Sequence, residues 1–258
     1  MPRIESPKNP TVKALVKLRS RRERERTESF IIEGKRELER AVQGDISLTH
    51  LYLCPEFLKG SVSAPSNLPT TELSEAAFNK VSLRQNPDGV LAVAATPETQ
   101  LADLSLEADA LVLVLDGLEK PGNLGALLRT ADAGNLSAVL VSGAGTDLYN
   151  PNVVRASVGS LFSRPVVAAD ERELSTFLTS QGFKLVAALP DTKQSYWQAD
   201  LTGKVAILLG TEHDGLSRHW QEAATLKLGI PMFGLADSLN VATSGALFIY
   251  EALRQRKS

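Results

Sequence analysis

Two α/β domains in tandem, the second built on a parallel sheet, are what this sequence predicts. Short apolar runs alternate with helix-spaced segments along the whole chain. From residue 110 those runs become near-continuous and end in Gly, Pro or Asp, as suits strands covered on both faces by helices. Between the two regimes, TPETQLADLSLEAD (96–109) turns polar and acidic. The expected division is therefore a first domain over 1–97, a linker over 98–109 and a second domain over 110–258.

In the first domain, NPTVKALVKLRSRRERER (9–26) predicts a helix, with Val12, Leu15, Val16 and Leu18 at helical spacing and Thr11 near its start. SFIIEG (29–34) reads as a strand and KRELERAVQ (35–43) as a helix. THLYLC (49–54) and GVLAVAAT (89–96) read as further strands, with SEAAFNKVS (74–82) helical between them. In the second domain, ALVLVLDG (110–117), SAVLVSG (137–143), FKLVAALP (183–190) and VAILLG (205–210) are the strand candidates. NLGALLRTADAGN (123–135), ERELSTFLTSQG (171–182) and SGALFIYEALRQRK (244–257) carry helical spacing. Ligands of such a sheet gather at the carboxyl ends of its strands.

The composition excludes several function classes. At 258 residues, 43% hydrophobic and 22% charged, the chain resembles an ordinary globular protein. Its single cysteine, Cys54, rules out an internal disulfide and any multi-cysteine metal site, and the three histidines lack ligand spacing, so no metal is expected. No apolar run approaches the roughly 20 residues of a membrane span, and the start MPRIESPKNP lacks a signal core. A cytoplasmic protein is expected. The net charge of −2 hides an asymmetry: residues 1–40 carry twelve Lys/Arg against seven Asp/Glu, and the rest sixteen against twenty-three. The net charge argues mildly against an RNA partner, but the basic end can supply an electrostatic footprint for one, with Arg19, Arg21 and Arg22 in RSRRERERTE (19–28) as the candidates; a solvated helix of alternating charge explains that run equally well.

Three polar, glycine-rich blocks directly follow apolar runs. In DGLEKPGNLGALLRTADAGN (116–135), Pro121-Gly122 forces a turn, Asn123 can cap the following helix, and Arg129 lies six residues on, where its planar fork suits an anionic substrate. In VAILLGTEHDGLSRHW (205–220), Gly210 and Gly215 bracket Glu212, His213 and Asp214. In LGIPMFGLADSLNVATSGALFIYEALRQRK (228–257), an apolar turn leads through Ser238, Leu239 and Asn240 into a long helix. Each block taken alone also reads as caps, turns and core. There is no dinucleotide fingerprint, P-loop, serine elbow or zinc signature.

In this order the three blocks resemble the motifs of the SpoU/TrmH family of the SPOUT superfamily, the knotted RNA 2′-O-methyltransferases. NLGALLRTADAG is similar to the first motif, LLGTEHDGLS to the second and IPMFGLADSLNVATSGALFIYEAL to the third, and YNPNVVRASVGSLFSRPV (149–166) to the family's middle segment. Residues 1–97 are similar in layout to a small ribosomal-protein-like RNA-binding domain. The resemblance implies a deep trefoil knot, a rare exception to the ordinary rules of chain connection. It implies S-adenosylmethionine as cofactor, an RNA substrate (ribosomal preferred, transfer RNA open) and a homodimer. The apolar face of the last helix (Leu247, Ile249, Tyr250, Leu253) is a candidate for the dimer interface. It also implies roles: Asn123, Arg129, Glu212, Ser238 and Asn240 at the catalytic site; Leu209, Gly210, Ile230, Met232 and Leu239 on the cofactor wall; Arg155 on a phosphate. Arg129 or a substrate phosphate takes the hydroxyl proton. His213-Asp214 in the second motif and Ala236-Asp237 in the third depart from the usual family residues. The competing readings are a catalytically silent RNA-binding protein, a dehydrogenase of another α/β class, and a SPOUT enzyme that methylates a base nitrogen.

Overall fold

The computed structural model describes residues 1–143, 145–190 and 192–257, which divide into two units. The first comprises Met1–Glu98 with Asp147–Ser163, and the second Thr99–Thr146 with Arg164–Ser258.

The first unit holds β1 (Arg3–Ile4), α1 (Pro10–Lys17), α2 (Arg21–Thr27), β2 (Ser29–Glu33), α3 (Lys35–Gln43), β3 (Leu48–Leu53), β4 (Thr70–Leu73), α4 (Glu75–Val81) and β5 (Val90–Ala95). Its mixed sheet runs β1-β4-β3-β5-β2, with β5 antiparallel to both β2 and β3. Strands β1 and β4 were not expected; two and four residues of little alternation leave no period to read. The helix expected over 9–26 is two helices. Asn9 caps α1 by accepting from the Thr11 amide at 2.8 Å, and the chain turns at Leu18–Ser20 before α2 begins. The break has a use: Arg24 folds inward and its Nη1 donates to the Leu18 carbonyl at 2.7 Å, satisfying an orphan group at the end of α1.

Both faces of β2 are buried. Ile31 joins Val12, Leu15, Phe78 and Val81 under α1 and α4. On the other face Phe30 meets the rings of Tyr149 and Phe162 at 4.7 and 5.9 Å. That is why Asp147–Ser163 belongs to this unit, although the sequence expectation ran the second domain unbroken from 110. The Arg24 guanidinium, 4% exposed, is paired with Asp147, so a buried charge ties the segment in place.

The second unit holds β6 (Leu111–Asp116), α5 (Pro121–Ala133) and β7 (Ala138–Ser142). After α6 (Pro151–Ala156), which lies in the first unit, come β8 (Val166–Ala168), α7 (Glu171–Ser180), β9 (Lys184–Ala188), β10 (Val205–Leu209), α8 (Arg218–Ala223), β11 (Leu226–Leu228) and α9 (Val241–Arg256). The sheet is wholly parallel in the order β11-β9-β10-β6-β7-β8. The three-residue strands β8 and β11 escaped the sequence reading. Residues expected as linker also pack here: Leu101 is buried against the sheet core, with Leu104 and Leu106 beside it, and the Thr99 hydroxyl donates to the Val166 carbonyl at 2.7 Å. Acidic neighbours concealed those leucines in the composition.

One sheet face, with Val112, Val114, Leu140 and Leu208, packs on Leu174 and Leu178 of α7 and Trp220 of α8. On the other, α9 crosses α5 and β10 at Gly245, where an added Cβ would come within 2.4 Å of Leu127 and 2.7 Å of Leu209. Among the described residues, no helix is long and apolar enough to cross a membrane.

Candidate active site

The strand order reverses direction around β6 and β10, so the loops after β6, β9 and β10 open on one edge of the sheet. Such a switch point is where an open parallel sheet leaves room for a ligand. A cavity of about 550 Å³ lies there, lined by the ends of β9 (Ala188, Leu189, Pro190) and β10 (Leu209, Gly210), by the loop 211–216, and by Ile230, Met232, Leu239 and Phe248. Its size suits a ligand of nucleoside dimensions. All five residues expected on the cofactor wall line it, as do Glu212, Ser238 and Asn240.

The loop after β10 is a closed miniature. Thr211 and Gly215 exchange backbone hydrogen bonds of 3.0 and 3.1 Å, and the Asp214 amide donates to Thr211 Oγ1 at 2.9 Å. Gly210 sits so close beneath it that a Cβ would lie 2.1 Å from the Gly215 carbonyl. The segment after β11 also passes close to the loop after β9. Gly229 donates to the Gln194 carbonyl at 2.9 Å, Tyr196 donates to the Gly229 carbonyl at 3.1 Å, and a Cβ on Gly229 would meet the Thr192 methyl at 2.8 Å.

At the cavity edge the three sequence blocks meet in one polar cluster. Asn240 Nδ2 donates to Asn123 Oδ1 at 3.2 Å and to Glu212 Oε1 at 3.4 Å, and Asn123 Nδ2 donates to the same Glu212 oxygen. Lys120 Nζ lies 2.6 Å from Glu212 Oε2. Asn240 also caps α9, its Oδ1 accepting from the Ala242 amide at 2.9 Å, so one side chain serves both helix and site. Asn123 was expected to cap α5. It does not, because the helix begins two residues earlier at Pro121, and its amide is thereby free to join Glu212. Ser238 stands apart from the cluster and donates to Asp237 at 3.3 Å. Arg129 is exposed, two turns along α5, and makes no hydrogen bond or ion pair among the described residues.

Two members were not anticipated. Lys120 is one. Asp116, at the end of β6, is the other: 6% exposed, it accepts from Ser142 Oγ at 2.8 Å and from the Ser217 amide at 2.8 Å, while Trp220 Nε1 donates to Ser142 Oγ at 3.0 Å. It thus ties the end of the 211–216 loop to the sheet. A carboxylate closing an otherwise apolar strand was the legible signal. Asp116→Ala leaves the Ser217 amide and the Ser142 hydroxyl without their acceptor in a dry site. A loss of about 2–3 kcal/mol is expected, read as a lowered denaturant midpoint with an unchanged slope.

The arginines assigned to RNA have varied fates. Arg19 Nη2 donates to the carbonyls of Lys80, Val81 and Ser82, closing the end of α4. Arg21 pairs with Glu25 at 2.7 Å. Arg155, at the end of α6, belongs to the first unit and donates to the Leu83 carbonyl at 3.1 Å. Arg22 is exposed and makes no bond among the described residues. On the last helix, Ile249 is fully buried, with its side chain beside Gly134, so it is core rather than surface; Leu247 and Tyr250 are exposed. Burial pushes the Cys54 thiol up to about 11, which leaves it no nucleophile at neutral pH.

Comparison with known proteins gives a consistent picture. Residues 110–250 match the SpoU rRNA Methylase family, and residues 9–92 match the MRM3-like substrate binding domain. The chain is 33% identical over 254 residues to the 23S rRNA (guanosine(2553)-2′-O)-methyltransferase RlmP of Bacillus subtilis (strain 168), covering 97% of this chain and 98% of that protein. A crystal structure of an RNA 2′-O ribose methyltransferase superposes with a TM-score of 0.86 at 45% identity, covering 99% of this chain and 100% of that one. The AdoMet-bound rRNA methyltransferase from Sinorhizobium meliloti superposes with a TM-score of 0.88 at 27% identity, covering 98% and 97%.

Proposed function

Because the chain belongs to the SpoU rRNA methylase family, we propose that it transfers a methyl group from S-adenosylmethionine to a ribose 2′-hydroxyl of ribosomal RNA. The observation that carries this reading is the meeting of Asn123, Glu212 and Asn240 at the mouth of a strand-end cavity. The residues present fit the cofactor. Leu209, Ile230, Met232, Leu239 and Phe248 offer apolar surface to an adenine, and the glycine-tight backbone at 210 brings amides and carbonyls within reach of its polar edge. When bound, S-adenosylmethionine supplies a methyl carbon already activated by its sulfonium.

The chain's own task is then to orient and deprotonate a poor nucleophile. Glu212, held on both oxygens, fixes Asn123 and Asn240 as positioning groups. Arg129 orients the hydroxyl and a neighbouring phosphate with its planar fork. A guanidinium holds its proton too firmly to act readily as a base, so the phosphate oxygen takes the proton. Ser238 contacts the cofactor or the RNA strand from the cavity wall.

We read the passage of Gly229 beside Thr192, Gln194 and Ser195 as the threading of a trefoil knot. The first unit grips RNA, with Arg22 and Arg155 as candidate contacts. Two copies of the chain pair through exposed Leu247 and Tyr250; a monomer in sedimentation velocity at micromolar concentration would overturn that.

The test of function is a transfer assay with radiolabelled S-adenosylmethionine on unmodified 23S rRNA and on transfer RNA, followed by mass spectrometry of nucleosides. Label on a ribose in ribosomal RNA supports the proposal. Label on a base or only on transfer RNA contradicts it, and cofactor binding without any transfer returns the protein to the class of RNA-binding modules.

A further inference from the structure

We infer that Lys120 is a ligand for a phosphate of the RNA strand, parked on Glu212 until that strand arrives. The inference rests on the ribose-methylation reading and adds a substrate contact to it.

The charges around Glu212 point this way. Its Oε1 accepts from both Asn123 and Asn240, which belong to the first and third sequence blocks. Those two amides hold one carboxylate oxygen, so Glu212 keeps two of its three partners when the lysine leaves. Lys120 takes the remaining oxygen at 2.6 Å, yet its side chain is 71% exposed against 28% for Glu212. An ion pair with one partner so open to water is weakly held, because solvent screens it and the long side chain loses freedom in forming it. The pair is therefore poorly suited as a structural clamp and well suited to exchange.

Position supplies the second part. Lys120 immediately precedes α5, three residues before Asn123, on the element that also carries Arg129. A ribose presented to Asn123 and the cavity brings its flanking phosphates to this rim. An ammonium on a flexible stem meets a phosphate as a point charge and tolerates variable geometry, which complements the fixed fork of Arg129. While no RNA is bound, the Glu212 carboxylate balances the lysine charge at the edge of the cavity. When RNA binds, the exchange replaces one carboxylate by one phosphate, and Glu212 retains both amides.

The test compares wild type with Lys120→Ala and Lys120→Arg, using an unmodified 23S rRNA transcript. Four quantities are read: S-adenosylmethionine affinity by calorimetry, KM for RNA, kcat at saturating RNA, and the salt dependence of RNA binding. For Lys120→Ala the expected result is a rise of about tenfold in KM for RNA, with a log–log salt slope shallower by about 0.7–0.9, the value of one lost phosphate contact. Cofactor affinity and kcat stay within about twofold, and Lys120→Arg restores most of the loss. An unchanged KM and salt slope would overturn the inference. So would a fall in kcat or cofactor affinity with RNA binding intact, since that marks Lys120 as a prop for Glu212. The salt slope reads the lysine contact even if no methyl group is transferred, and wild-type transfer measured alongside tests the parent reading separately.

Discussion

Arg129→Ala is expected to lower methyl transfer by about 10³-fold or more while leaving S-adenosylmethionine affinity within about twofold. The expectation follows from where the side chain is. Arg129 is exposed on α5, makes no bond among the described residues, and does not line the cavity that fits the cofactor. Its loss therefore costs the fold little, within about 0.5 kcal/mol for an exposed position of this kind. The cofactor wall is likewise untouched. What disappears, on the role proposed for it, is the group assigned to orient the ribose hydroxyl against its phosphate, an interaction worth most at the transition state. Arg129→Lys should recover little, because an ammonium cannot present the planar fork. Single-turnover transfer paired with calorimetric titration measures both quantities on one preparation. Retained turnover would remove Arg129 from the chemistry, and joint loss of turnover and cofactor binding would dissolve the division of roles proposed for it.

Gly210→Ala is expected to do the reverse and abolish cofactor binding, weakening it by about 100-fold or more. A methyl group at this position would lie 2.1 Å from the carbonyl carbon and oxygen of Gly215 and 2.3 Å from the Leu216 amide. Those are backbone atoms and cannot rotate away. The loop must open, breaking the paired Thr211–Gly215 bonds and displacing Glu212 and Leu216 from the cavity. Overpacking of this kind also costs about 1–3 kcal/mol of stability, so the melting temperature should fall but leave a folded protein to titrate. Wild-type affinity in the variant would mean that this loop does not form the wall. Arg129→Ala thus tests substrate chemistry with the cofactor wall intact, and Gly210→Ala tests whether the loop after β10 forms that wall.

Much of this protein was readable from sequence because its signals are periodic. Four of the six strands of the second sheet announced themselves as apolar runs, and α3 spans the very residues its spacing proposed. The three-residue strands and the turn at Leu18–Ser20 were silent. A period needs several repeats to be seen, and the turn is stabilised by Arg24 bonding a carbonyl six residues back.

The site divides along the same line. Sequence alone supplied the polar blocks, their order and, by resemblance, five residues that line the strand-end cavity, since each block is contiguous and sits just past a strand. Only the tertiary structure decided that Asn123 does not cap its helix but joins Glu212, Asn240 and Lys120, and that Asp116 anchors the end of the 211–216 loop. It also decided that Ile249 is core and that Asp147–Ser163 folds with the first unit. The physical reason is common to all of these. Local patterns fix which backbone conformation a segment adopts, but the partner of a polar or charged side chain is chosen by whatever distant group its burial leaves within hydrogen-bonding reach. That choice is made between residues about a hundred positions apart.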